Sequence, residues 1–246
     1  IAIQKYLAHI GREDQGFSLS LHKDMPLGSG LGSSAASAVA GVFAANELMG
    51  RPLTQKELLP FAMEGERVAC GSAHADNVGP SLLGGFIIIR SYDPLDIIQI
   101  PTPSDLFASI VHPQIEVNTK DARGILNKEI SLGTTITQMG NVAGLVAGLL
   151  LPDYSLIGRS LVDVIIEPAR AILIPQFAEV KAAALAAGAL GCSISGSGPS
   201  LFALSKGKET AQKVADAMAA EFAKVQIGSE QYVSEINQAG PVILAD

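Results

Sequence analysis

The chain has 246 residues, 48% hydrophobic and 17% charged, enough apolar material for a sizeable core, which excludes a disordered chain. A formal net charge of −7 with no basic run excludes nucleic acid as a main partner, because phosphate backbones reward clustered Lys and Arg. The two cysteines, Cys70 and Cys192, stand far apart, so neither a disulfide framework nor a metal knuckle is expected, and a reducing cytoplasm fits.

The chain opens Ile-Ala-Ile without a Met, so further sequence is expected upstream of Ile1, and no secretory signal pattern is visible. The longest apolar run, Val142–Leu151, holds two glycines and falls short of the ~20 residues that span a bilayer.

In chain order, Tyr6 to His9 forms a short amphipathic segment ending near Gly11. Phe17, Leu19 and Leu21 alternate with Ser18, Ser20 and His22, the period of a half-buried antiparallel strand. A Gly/Ser loop follows Met25–Pro26, and 35–49 reads as a buried helix stopped by Gly50 and Pro52. Thr54 and Glu57 predict a capping box at the head of a second helix that runs towards Glu66. The polar segment Gly71–Asn77, in which His74, Asp76 and Asn77 share one short loop, precedes a strand over 85–90, and the Pro- and Asp-rich stretch 92–105 reads as a loop and domain boundary.

The second half begins with a strand at 108–112 that continues into 116–119. Helices are predicted at 121–127, 136–150, 157–166 and 176–187, then two strands (192–195 and 201–204) around the tight turn Gly196-Ser197-Gly198-Pro199. A helix over 209–225 and a strand over 231–236 close the chain. Helices and strands are segregated enough to favour α+β over a doubly wound parallel sheet.

Pro26-Leu27-Gly28-Ser29-Gly30-Leu31-Gly32-Ser33-Ser34-Ala35-Ala36 runs straight into a helix. A phosphate needs several converging donors. Glycines allow close backbone approach, the first helical turn offers unpaired N–H groups, and the helix dipole adds positive potential. No Lys follows the glycines, so this is not a Walker A loop. Gly30-Leu31-Gly32-Ser33-Ser34-Ala35 fits the looser dinucleotide fingerprint, but the preceding segment alternates in polarity. Nor does an acidic residue end a second strand about 20 residues on; Glu47 lies within the helix.

The segment resembles the second motif of the GHMP kinases, a glycine-rich ATP loop. Gly191-Cys192-Ser193-Ile194-Ser195-Gly196-Ser197-Gly198-Pro199-Ser200 resembles the third motif of that family, a strand–turn–strand loop beside the nucleotide phosphates and the substrate. His74-Ala75-Asp76-Asn77-Val78-Gly79-Pro80-Ser81-Leu82-Leu83-Gly84-Gly85 is similar to the segment that sets homoserine kinases apart within the family. So are Asn118-Thr119-Lys120-Asp121-Ala122-Arg123 and Glu167-Pro168-Ala169-Arg170.

The resemblance implies a two-domain α+β architecture: residues 1–100 as an N-terminal ATP-binding domain of the ribosomal S5 domain 2-like type, lacking its first strands, and 101–246 as a ferredoxin-like C-terminal domain. It implies transfer of the ATP γ-phosphoryl group to the hydroxyl of L-homoserine, on the route to threonine, without a dedicated general base. Ser34 and Glu66 would hold Mg²⁺, with Glu64 a near competitor, and Ser34, Glu66 and Arg123 would carry the chemistry. Substrate would meet His74, Asp76, Asn77, Thr119, Arg123, Arg170 and Gly196; the chemistry agrees, since a carboxylate wants a planar bidentate donor such as Arg123 or Arg170. An upstream first motif and a cytoplasmic homodimer are expected on the same ground. A mevalonate-type or diphosphocytidyl-methylerythritol kinase would share both glycine loops, and a non-catalytic nucleotide-binding relative is a third possibility.

Overall fold

The computed structural model describes residues 1–71, 73–117, 122 and 124–244. The chain divides into two units, one built from residues 1–26, 32–100 and 237–246, the other from 27–31 and 101–236. The boundary after Ile100 falls inside the Pro- and Asp-rich stretch, but the chain from Asn237 on returns to the first unit, where the sequence reading kept it in the second.

The first unit holds helices α1 (Ala2–His9), α2 (Ser33–Leu48), α3 (Gln55–Cys70) and α4 (Ala75–Leu83), with an antiparallel hairpin of β1 (Phe86–Tyr92) and β2 (Leu95–Ile100). Its core is Tyr6, Val39, Val42, Leu58, Leu59, Val78 and Leu82, each at most 2% exposed. Thr54 and Glu57 do form the reciprocal cap of α3. Gly65 lets α3 press on α2: a Cβ there would lie 2.8 Å from the Cβ of Ala38. The returning tail is tied down by the Gly85 amide, which donates to the Asn237 carbonyl at 2.6 Å.

Three expectations need correction in this unit. Residues 17–22 are not a strand; they belong to neither sheet, and Leu19 and Leu21 are exposed, because alternation without a ladder partner leaves the backbone unpaired. The polar stretch after Gly71 enters helix α4, so His74 stands at its N-cap and Asp76 and Asn77 lie in its first turn, not in a loop. The Pro- and Asp-rich stretch from Tyr92 contains strand β2, paired with β1 from Phe86 opposite Ile100 to Tyr92 opposite Leu95.

The second unit is built on strands β3 (Leu106–Pro113), β4 (Gly191–Ile194), β5 (Leu201–Lys206) and β6 (Ser229–Glu235), in the spatial order β4-β5-β3-β6 with every pair antiparallel. Helices α5 (Leu132–Leu150), α6 (Tyr154–Ser160), α7 (Glu167–Arg170) and α8 (Phe177–Ala186) lie between β3 and β4, and α9 (Lys208–Lys224) between β5 and β6. This is the βαββαβ, ferredoxin-like arrangement expected, enlarged by α5 to α7. Helix α9 buries Ala211, Val214, Ala215, Met218 and Phe222, one stripe at helical spacing. Of these, Val214, Met218 and Phe222 share a core with Val111, Val180 and Leu201.

The helix expected over 157–166 stops at Ser160. The Asp163 carboxylate takes the amides of Ile165 and Ile166, both at 2.8 Å, and of Glu167 at 3.2 Å, turning the chain into α7. The strand expected to continue into 116–119 ends at Pro113, and 118–119 lie outside the described residues, as does part of the helix expected over 121–127.

Candidate active site

The glycine loop enters α2 through Gly32, an N-cap in the left-handed region (φ 76°) that has no side chain to cap the helix. The first-turn amides are therefore left for a ligand, and no acidic residue sits among them. Ser33 begins the helix at 7% exposure, and its Oγ is buried with no hydrogen-bond partner. An orphaned hydroxyl is costly inside a protein, and a phosphate or metal-bound oxygen at this point would satisfy it.

One residue on, Ser34 Oγ donates to Glu66 Oε2 at 2.8 Å. The close crossing of α2 and α3 at Gly65 and Ala38 sets this pair: Ser34 lies one turn before Ala38, and Glu66 directly follows Gly65. Glu66 is 7% exposed. Its competitor Glu64 points to the surface and accepts from Arg67 Nε at 3.0 Å, which holds its carboxyl below the usual range. In the same unit Gly32 stands against Asn77, where a Cβ would meet Asn77 Oδ1 at 2.9 Å. Asp76 is exposed and accepts the Asn77 amide at 3.0 Å.

Within the second unit, residues 27–31 of the glycine loop are laced to the hairpin between β4 and β5. Ser195 Oγ donates to the Gly30 carbonyl at 3.0 Å, and the Ser200 amide donates to the Ser29 carbonyl at 3.3 Å. The approach is so close that a Cβ on Gly30 would fall 2.2 Å from the Ser195 carbonyl oxygen. Ser29 is buried, while Leu27 is 77% exposed. Ser200 is shielded from solvent and its Oγ is 3.0 Å from Nδ1 of His112, a buried imidazole whose pKa burial lowers. The Cys192 thiol, on β4 of this hairpin, is buried, and burial pushes it up to about 12, which disfavours the reactive thiolate.

Arg170 grips the same hairpin: Nη1 donates to the Gly196 carbonyl at 2.7 Å and Nε to the Ala122 carbonyl at 3.1 Å. Thr119 and Arg123 lie outside the described residues. The expected residues therefore gather as Ser34 with Glu66, Gly32 with Asn77, Gly30 with Gly196, and Arg170 with Gly196. Sequence reading missed Ser195, His112 and Glu167. Ser195 carried a signal in its place inside a glycine turn and Glu167 in the Glu167–Arg170 segment; His112 carried none.

The donor set suits Mg²⁺. Ser34 and Glu66 offer hard oxygens, as suits an ion that keeps waters and leans on substrate phosphates.

Residues 1–85 match the model of the GHMP kinases N terminal domain, and 145–224 match that of the GHMP kinases C terminal region. A homoserine kinase of Chlorobium phaeovibrioides is 57% identical, over 98% of this chain and 78% of that one. The chain belongs to the GHMP kinases. A homoserine kinase of Chlorobaculum tepidum is 55% identical over 99% of this chain and 77% of its own length. The crystal structure of homoserine kinase from Cytophaga hutchinsonii superposes with a TM-score of 0.94 at 59% identity, covering 99% of this chain and 77% of that one. As a GHMP kinase, the protein uses ATP. No helix among the described residues is long and apolar enough to cross a membrane.

Proposed function

We propose that this GHMP kinase transfers the γ-phosphoryl group of ATP to the hydroxyl of L-homoserine, giving O-phospho-L-homoserine. The observation that carries the reading is Ser34, in the first turn of α2 after the glycine loop, bonded to Glu66 of α3, in a chain whose close relatives are named homoserine kinase.

Phosphoryl transfer passes through a loose transition state, so catalysis rests on positioning and charge neutralisation. The uncapped amides of α2 and the Ser33 hydroxyl would meet phosphate oxygens. Ser34 and Glu66 would hold Mg²⁺, which when bound neutralises charge on the phosphates. Arg123 and Arg170 would take the substrate carboxylate, with His74, Asp76, Asn77, Thr119 and the Gly196 turn around the amino and hydroxyl groups. No residue is assigned as general base. The same reading takes the protein as a cytoplasmic homodimer with neither nucleic acid nor membrane as partner; the net charge of −7 supports the former exclusion.

The test is Mg²⁺-dependent ADP release with L-homoserine, mevalonate, galactose and L-serine offered separately. Turnover with homoserine alone is expected. Turnover with another alcohol would remove the substrate assignment, and MgATP binding without any turnover would make the protein a nucleotide-binding relative.

A further inference from the structure

Glu167 opens α7 and is 9% exposed. Both of its carboxylate oxygens are taken. Lys181 Nζ on α8 donates to Oε1 at 2.5 Å, and Ser193 Oγ on β4 donates to Oε2 at 2.6 Å. Shielded ion pairs lose so much hydration that apolar replacements are often as stable, so stability alone is a weak reason for this one.

The surroundings supply a better reason. Ser193 stands just ahead of Ser195 and Gly196 in the glycine hairpin, and Arg170 closes the helical turn that Glu167 opens. Arg170 in turn donates to the Gly196 and Ala122 carbonyls. One carboxylate thus joins the root of the arginine's turn to the strand feeding the loop that the arginine grips. Asp163 fixes the other side of the turn through the Ile165, Ile166 and Glu167 amides.

We infer that Glu167, held by Lys181 and Ser193, is a positioning residue that sets Arg170 and the Gly196 turn in place for a carboxylate-bearing phosphoacceptor. The inference rests on the proposed role of Arg170 in holding an amino-acid substrate. Glu167 acts through Arg170, so its loss should weigh more on the phosphoacceptor than on the nucleotide.

Glu167→Gln keeps the shape and an acceptor for Ser193 but removes the charge that holds Lys181, and Lys181→Met removes the partner. Two readouts are needed: KM for homoserine against KM for MgATP, and the ¹H–¹⁵N signal of the Arg170 Nε–H, assigned through its loss in Arg170→Lys. The parent is expected to show a slowly exchanging Nε–H. In both variants that signal should exchange with solvent, and KM for homoserine should rise about tenfold to a hundredfold, with KM for MgATP changing far less. Lys181→Arg should restore parent behaviour. Ser193→Ala, which leaves the ion pair, should shift the signal the same way and serves if Glu167→Gln does not fold.

A persistent Nε–H signal and unchanged KM for homoserine, with only Tm lowered, would reduce the cluster to a brace of the fold and overturn the inference. Loss of the signal in Glu167→Gln within a protein that does not phosphorylate homoserine would sustain the positioning role while refuting the proposed substrate.

Discussion

Ser34 and Glu66, 32 residues apart in sequence, share a hydrogen bond of 2.8 Å in a pocket that leaves the glutamate 7% exposed. A carboxylate kept this dry needs either its serine partner or a cation. Glu66→Gln keeps the size and an acceptor but loses the charge. Its kcat should fall about 10²- to 10³-fold, the scale for losing one preorganised electrostatic contact, and the free Mg²⁺ needed for half-maximal rate should rise. Ser34→Ala should act in the same direction. Initial rates across a Mg²⁺ titration at saturating ATP decide it; an unchanged Mg²⁺ requirement in both variants would remove this pair from the metal site.

The Ser34–Glu66 distance depends on how closely two helices approach. At Gly65 the methyl of an alanine would lie 2.8 Å from the Ala38 Cβ and 3.2 Å from the Ala2 Cβ, and neither neighbour has a flexible end to move. Gly65→Ala should therefore separate α2 from α3, cost about 1–3 kcal/mol and lower kcat. Adding Ala38→Gly to that variant gives back the nearer methyl's space and should recover part of both losses. Equal Tm and kcat in the single and double variants would show that the crossing does not set the pair.

Gly28 and Gly30 look alike in sequence but differ in what surrounds them. Both have positive φ, 66° and 77°, yet a Cβ on Gly28 meets nothing within 4 Å while one on Gly30 strikes the Ser195 carbonyl at 2.2 Å. Gly28→Ala should cost only the left-handed backbone penalty, about 1–2 kcal/mol. Gly30→Ala must also part the glycine loop from the β4–β5 hairpin, costing about 3 kcal/mol or more, and should abolish measurable ATP affinity. Thermal melts and nucleotide titrations of the two variants side by side test this; equal losses would contradict the close packing.

The features legible in sequence were those made by neighbours in the chain. Thr54 and Glu57 announce their cap because both halves lie within one turn, and the glycine loop is visible because Gly28–Gly32 precede an apolar helix. Local polarity also misled: Asp76 and Asn77 read as loop, although near a helix N-terminus such residues are at home. Alternation at Phe17, Leu19 and Leu21 predicted a strand, but a strand needs a partner that pattern alone does not reveal. The bonds of Arg170 to Gly196 and of Glu167 to Ser193 each span 26 residues, and no local rule points to them. The two glycine motifs could be matched to a family, but their lacing through Ser195 and Gly30 is a fact of tertiary structure.

His112 gives the hairpin a pH dependence. Its imidazole is buried beside Ser200 Oγ at 3.0 Å, and burial lowers its pKa from the usual value, with the Glu230 charge opposing in part. Between the lowered folded value and the unfolded value of about 6.5, the unfolded chain binds a proton that the folded chain does not. Stability from this group is therefore complete above about pH 6.5 and is lost as the pH falls towards the folded value. His112→Asn keeps a polar partner for Ser200 without a titrating ring. Its Tm should fall less than the parent's between pH 7.5 and 5, and the two curves should diverge below the unfolded histidine value. Because the Ser200 amide also holds the Ser29 carbonyl, ATP affinity of the parent should hold over that interval and weaken only as the pH falls through the folded value, where the native imidazole takes up the proton, and that of the variant should not. Parallel Tm curves would mean that His112 binds its proton alike in the folded and unfolded chains and that the acid sensitivity arises elsewhere.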